Sequence, residues 1–259
     1  MKYLKRKRIR YAIILIGTLL ILEICTLRLG IEWSRIFTDF HRSVSRFMDI
    51  YLPMDFSELS SQLYQLWVTI IISIAGAFVG MIFAFFSALC ISSSTSGNLV
   101  LKYVVRALAS LSRNIPEAVW AIILIPCLWY GEFLGFLVMC IISYGFLTRA
   151  FADSIDETNR NAMEALQSTG ASYWQIIFHA VLPETLPSLL SWSLYAAENN
   201  IRSATIVGML AGGGIGYLIG IYKGFMKYQL LCTSILLVVI VVIATDQIST
   251  QIRKRQEEI

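Results

Sequence analysis

Along this chain, apolar runs of membrane-crossing length alternate with short polar breaks. The first run, Tyr11 to Leu27, follows Lys2, Lys5, Arg6, Lys7, Arg8 and Arg10; basic residues ahead of an apolar stretch predict a cytoplasmic start and an outward-going helix. A secretory leader shares that layout, but Glu23 interrupts the run and Cys25 to Gly30 has no small-residue cleavage site, so a retained anchor is expected. Gly30 to Gln65 interleaves Arg35, Arg42 and Arg46 with Glu32, Asp39 and Asp49 and with Trp33, Phe37, Phe40 and Phe47, the pattern of an amphipathic segment lying in the outer interface. Leu66 to Ile91 carries no charge and is the clearest span, with Gly76 and Gly80 spaced to admit a neighbouring helix closely. Ser92 to Asn98, SSSTSGN, reads as an inner loop.

The third span is harder to draw. Ala118 to Tyr130 is too short for a bilayer that takes about 20 helical residues, so it has to borrow from Ala107 to Pro116. Lys102, Arg106 and Arg113 then fall on the inner side, and Trp129 and Tyr130 in the outer aromatic belt. Phe133 to Leu147 returns inward. A fifth span runs from about Thr185 to Gly208 and a sixth from about Tyr228 to Asp246, closing with Arg253, Lys254 and Arg255 and placing both termini inside. The expected layout is a basic tail and first helix over 1–29, an extracytoplasmic amphipathic segment over 30–65, a transmembrane core over 66–248 and a cytoplasmic tail over 249–259.

Between the fourth and fifth spans lies the polar segment Asn161 to Pro183, NAMEALQSTGASYWQIIFHAVLP. Helix formers run to Leu166, Gly170 supplies a left-handed stop, and Ser172 with Gln175 has capping-box spacing for a second helix. Pro183 and Pro187 then limit that helix and admit a new one, in which an early proline costs little.

Composition agrees with the span count. Residues of the hydrophobic types make up 57% of the 259 and charged ones only 15%, which predicts an all-α protein of about six transmembrane helices, in contact with lipid and with no nucleic-acid partner. The five cysteines sit inside apolar runs without metal-ligand spacing, and His41 and His179 stand alone.

The second informative stretch is Ser191 to Gly216, SWSLYAAENNIRSATIVGMLAGGGIG. Glu198 and Arg202 are one helical turn apart, and a charge at the bilayer centre costs about 2.5–3.5 kcal/mol on insertion scales, so the two should pair or face water. A neutralising ion pair and a part in a translocation path are both open, and are compatible. Gly208, Gly212, Gly213, Gly214, Gly216 and Gly220 predict a break or re-entrant turn, either as an anion-binding nest or as a packing bend.

The polar segment resembles the cytoplasmic signature of the membrane permease subunits of ATP-binding-cassette importers: Glu164 and Ala165 match, Leu166 stands for a second alanine, Gly170 is in register, Ala180 stands for an isoleucine, and Leu182 and Pro183 match. The glycine-rich stretch, with Arg113-Asn114-Ile115-Pro116-Glu117 and Glu184-Thr185-Leu186-Pro187, is similar to the permeases of phosphonate importers from Asp55 to Arg253. This resemblance implies a type I importer permease fold, like that of methionine permeases, in a bacterial cytoplasmic membrane. It implies a coupling segment (153–183) in which Glu164, Ala165, Gly170, Leu182 and Pro183 meet an ATPase subunit. It further implies two such ATPases, an extracytoplasmic substrate-binding protein, a second permease copy, and phosphonate or a related phosphorus oxyanion as the substrate. Because such an anion needs positive potential or oriented donors in a low-dielectric passage, its path is expected along Glu198, Arg202, Gly212, Gly213 and Gly214. No Gly-x-x-x-x-Gly-Lys-Ser/Thr loop occurs in the chain, so ATP binding and hydrolysis are expected of a partner and no cofactor of this subunit.

Three alternatives are weighed against that expectation. A permease for another small solute, methionine-like, shares the signature and the glycine turn. A membrane enzyme needs convergent nucleophiles, metal ligands or acid–base pairs, which the scattered acids and lone histidines do not supply. An ion-coupled secondary transporter has candidate carboxylates in Glu23, Glu117 and Glu198, but the inverted hydropathy repeat that would favour it is not found.

Overall fold

The structure, a computed structural model, describes residues 2–30, 32–157 and 160–257. Thr158 and Asn159 of the coupling segment and the last two residues of the 249–259 tail lie outside the described residues. The chain divides at Pro53 into two units. In the first, α1 (Lys2–Leu29) is apolar on every side and exposed over Tyr11 to Leu29, as a lipid-facing span is, and α2 (Trp33–Tyr51) is amphipathic, with Phe47 stacked on Tyr51.

The second unit is a bundle of helices. It comprises α3 (Leu59–Ile91), α4 (Leu99–Asn114), α5 (Glu117–Leu128), α6 (Glu132–Asp156), α7 (Arg160–Ser168), α8 (Tyr173–Ile176), a π turn (Ile177–Val181), α9 (Leu182–Ala211), α10 (Gly214–Gly224) and α11 (Tyr228–Glu257). Among the described residues four helices are long and apolar enough to cross a bilayer unaided, and two bent pairs bring the number to six if each is one span.

Packing at the centre follows from small residues. A Cβ added to Gly76 would stand 2.5 Å from Met139 Cβ, and one added to Gly80 2.7 Å from Ser143 Cβ, so α3 and α6 cross nearly backbone to backbone. Asn200 of α9 closes the triangle: its side-chain amide donates to Ser143 Oγ at 2.8 Å and to the Ser73 carbonyl at 3.2 Å, while the residue itself is buried.

The ends of the bundle follow from polar contacts. At one end the Asp156 carboxylate accepts the Ser92 and Ser93 hydroxyls and the Ser93 and Ser94 amides, joining the close of α6 to the close of α3. At the other, Tyr222 donates to Glu58 at 2.7 Å, Thr233 to the Asp55 carbonyl at 2.7 Å, and buried Gln62 to the Leu230 carbonyl at 3.2 Å. The Ser57 amide donates to Asp55 Oδ1, which holds that carboxyl below its ordinary range. α3, α6 and α11 therefore run one way and α9 the other.

Three expectations change. The clearest span starts at Leu59, not Leu66: buried Gln62 donates to the Leu230 carbonyl of α11, and Glu58 at the cap accepts from Tyr222 of α10. The third span is not one helix: α4 and α5 meet at 102°, with Ile115 extended ahead of Pro116. Pro116 has no N–H for the Ser112 carbonyl, and the Trp120 indole takes that acceptor at 3.2 Å. Finally, Pro183 does not end a helix. It leaves the His179 carbonyl without an α-helical donor, and the ladder slips by one residue into the π turn, with Leu182 N–H reaching the Ile177 carbonyl, then continues as α9.

A β-branched or larger side chain at the α3–α6 crossing has no room. Gly80→Leu is expected to lower stability by at least the 1–3 kcal/mol of an overpacked core, read as a reduced thermal midpoint in detergent, whereas Gly97→Ala, in open space on the α3–α4 loop, should leave it within error.

Candidate functional site

The polar segment between α6 and α9 is built from two faces. Met163, Ile176, Ile177, Ala180 and Val181 are buried in one apolar cluster with Ala84 and Ala88 of α3 and Leu147, Phe151 and Ile155 of α6, so the segment is anchored in the end of the bundle. Its opposite face is exposed and carries Glu164 and Ala165. Between α7 and α8, Gly170 has φ +80, with its N–H on the Gln167 carbonyl at 3.0 Å and the Ala171 N–H on the Leu166 carbonyl at 3.2 Å. That pair of bonds is a Schellman stop. A Cβ at Gly170 meets nothing within 4 Å, so the demand for glycine is one of backbone conformation, not of space. The Ser172 N–H donates to Gln175 Oε1 at 2.7 Å at the start of α8, as the capping spacing predicts. Leu182 is half-buried and Pro183 exposed where α9 begins.

Sequence reading missed an exposed aromatic patch on this segment. Tyr173, Trp174 and Phe178 are about half exposed, and Trp174 stacks on Phe178 one turn later. Their spacing was the available signal. Three half-exposed aromatics within one short stretch form an apolar patch of the kind that marks a contact surface.

The second group sits on α9. Glu198 is buried with 5% of its side chain accessible, whereas Arg202, bonded to Glu198 Oε1, is half exposed. Arg253 of α11 approaches Glu198 Oε2 at 3.7 Å. One buried carboxylate thus stands between two guanidiniums, one from a neighbouring helix. Sequence reading had Arg253 only as an inner-end charge, since no local spacing ties α11 to α9. Glu117, at the start of α5, accepts from Ser203 at 3.3 Å, next along α9. Trp192, Tyr195, Arg202, Ile206 and Met209 form one exposed stripe at helical spacing, so Arg202 is its cationic member.

The glycines make a packed break. Gly212 (φ +79) ends α9, and the N–H groups of Gly212 and Gly213 both go to the Gly208 carbonyl. The Ile215 N–H is taken by Thr69 Oγ1 at 2.8 Å. Gly213 lies against Glu132, and a Cβ on Gly214 would collide with Thr69. With the amides of Gly212, Gly213 and Ile215 spent in this way, Gly212, Gly213 and Gly214 form a tightly packed bend of 51° between α9 and α10.

A bundle of membrane-length helices, with a glycine-stopped helical segment at one end and a cation on an exposed stripe of α9, fits a membrane permease. Residues 80–257 match the family of binding-protein-dependent transport system inner membrane components, and the chain belongs to that family. It is 31% identical to the phosphite transport system permease protein PtxC of Stutzerimonas stutzeri over 78% of this chain and 74% of that one. It is 28% identical to the phosphate-import permease protein PhnE of Mycolicibacterium smegmatis, over 79% of this chain and 38% of that longer one. The MetNI methionine ABC transporter, solved in inward-facing conformations, superimposes with a TM-score of 0.69 at 20% identity, covering 78% of this chain and 99% of its own. The fold is that of a type I importer permease. The chain is a multi-pass transport subunit, and its relatives are transport permeases, not enzymes.

The Glu198 arrangement has a stability consequence. Glu198→Gln leaves two guanidiniums facing each other without a counter-charge, so it is expected to destabilise more than Glu198→Gln combined with Arg202→Gln. Thermal midpoints of the purified variants check the order.

Proposed function

We propose that this chain is the membrane subunit of an ATP-driven importer of a phosphorus oxyanion, phosphonate or a close relative such as phosphite. The observation that carries the reading is the half-exposed Arg202 guanidinium, aimed outward from an apolar and aromatic stripe by a buried carboxylate. An oxyanion crossing a low-dielectric passage needs positive potential, and a guanidinium offers two parallel donors to two oxygens. The names of the phosphite and phosphate permeases supply the same substrate chemistry.

In this reading the stripe of α9 lines the path. Glu198 orients Arg202 and its negative charge keeps the empty site from holding anions too tightly, while Arg253 balances part of that charge from α11. Gly212, Gly213 and Gly214 fix the outer mouth by setting the bend onto α10. ATP is bound by two partner ATPases, one against the Glu164, Ala165 and Gly170 face of each of two copies of this chain, and Leu182 and Pro183 carry the motion into α9. Substrate arrives from an extracytoplasmic binding protein, and both termini lie in the cytoplasm. Closure of the ATPases would rock the bundle between inward-open and outward-open states.

Two experiments test this. Gly170→Ala places a Cβ at positive φ, costing about 1–2 kcal/mol, and Glu164→Arg reverses the charge of the docking face; both should leave the protein in the membrane while lowering ATPase activity stimulated by the binding protein. For the path, Arg202→Gln and the double change with Glu198→Gln should both assemble with the ATPase and lose at least tenfold in uptake of labelled methylphosphonate or phosphite. Normal uptake by the assembled double variant would make the pair structural and remove the path assignment.

A further inference from the structure

The end of the bundle that carries the coupling segment holds a second basic feature. Gly145 of α6 packs so closely on α4 that a Cβ there would stand 2.8 Å from the Arg113 amide nitrogen and 2.9 Å from the Ala109 carbonyl oxygen. The crossing opens on one side into a cavity of about 190 Å³ with Arg106, Arg113 and Arg149 in its wall and Asp153 as its one acid. Arg106 and Arg113 are two turns apart on one face of α4, and Arg149 is one turn beyond Gly145. Arg149 pairs with Asp153 at 3.6 Å; among the described residues Arg106 and Arg113 have no ion pair. Three guanidiniums against one carboxylate in one recess are a cationic site short of an anion.

A second cavity, of about 330 Å³, shares Arg113, Arg149 and Asp153 and continues to Trp192 and Ser188 of α9, with Glu157 on its wall. Trp192 belongs to the stripe that carries Arg202, ten residues or about 15 Å further along α9. Phe146, Trp192 and Tyr195 stand between as a ring cluster, with centroids 5.5–6.2 Å apart. The stripe therefore leads from one cation, past aromatic rings, to a group of three.

We propose that the Arg106, Arg113 and Arg149 recess is a second anion site, one that binds a tetrahedral phosphorus oxyanion at the inner end of the bundle. The inference rests on the reading of the α9 stripe as the path, and it adds a release station to it. Guanidiniums from two helices give paired donors to different oxygens of one tetrahedral group, and the cavity has room for that group with some of its water. Asp153 and Glu157 at the rim weaken the hold and suit a site that lets its anion go. The same chemistry is presented by a lipid headgroup phosphate.

The test uses the intact permease–ATPase complex in nanodiscs. In phosphatidylcholine alone, methylphosphonate and inorganic phosphate are titrated by phosphorus-31 NMR line broadening and by the fluorescence of Trp192, with Trp192→Phe as the blank. Saturable binding is expected, weakened at least tenfold by Arg106→Gln with Arg113→Gln and partly restored by lysine at both positions, while each variant still co-purifies with the ATPase. In discs containing phosphatidylglycerol, native mass spectrometry counts retained anionic lipid. Lipid retained by the parent protein and lost from the glutamine variant, without binding of the soluble anions, supports the site with the headgroup as its occupant. Neither soluble anion nor lipid bound, or binding indifferent to both glutamines, overturns it. The assembled Arg202→Gln with Glu198→Gln variant separates the two claims. Normal uptake there removes the path reading whatever the recess binds; lost uptake with an empty recess removes the second site alone.

Discussion

The bundle depends on how closely α3 and α6 approach. With Gly76 and Gly80 facing Met139 and Ser143, the two backbones meet without intervening side chains, which is how helices gain packing energy where lipid is as apolar as leucine. That contact places Ser73 and Ser143 so that one amide, Asn200, can reach both. Asn200 then fixes the rotation of α9. Glu198 is turned into the protein and Arg202 onto the exposed stripe as a consequence, since the three residues lie within about one turn. A charge that would cost several kcal/mol in hydrocarbon is thereby held at a chosen place.

The same rigidity reaches the coupling segment. Phe151 and Ile155, near the end of α6, are wholly buried against Ile176, Ile177 and Val181. The slip of the helical ladder at Pro183 keeps the segment continuous with α9, where an ordinary helix stop would have left a flexible joint. In the proposed mechanism a push on the exposed face reaches α6 and α9 together, because both pack on the segment, and reaches the end of α3 through Asp156 and its serine partners. At the opposite end, the bond network of Glu58, Tyr222 and Lys227 ties α10 to α3.

Much of this was legible in local spacing. Gly170 as a helix stop, Ser172 with Gln175 as a helix start, Gly76 with Gly80 as a close-approach pair and Glu198 with Arg202 as partners are all patterns within about one turn of chain. What escaped depends on contacts between helices far apart in sequence. Arg253 meets Glu198 only because α11 lies beside α9, and Gln62 is absorbed only because Leu230 offers its carbonyl. The break at Pro116 was hidden for a related reason. Hydropathy demands a span of full length and is blind to direction, so the apolar residues of α4 and α5 add up to one span although the helices meet at 102°. The exposed Tyr173, Trp174 and Phe178 were passed over because apolar residues in a membrane protein read as buried by default.

Rigid transmission from the coupling segment into the bundle is tested most directly by a spin-label distance within one subunit, between exposed Gln167 on α7 and exposed Ile82 on α3. The distance is measured in the assembled transporter with and without trapped ATP. It should change by less than about 2 Å, the scale of a small helix shift inside a packed unit, while ATP trapping alters the accessibility of the α9 stripe. A change of several ångströms in that distance would mean that the segment swings free of the bundle, and would contradict the transmission described above.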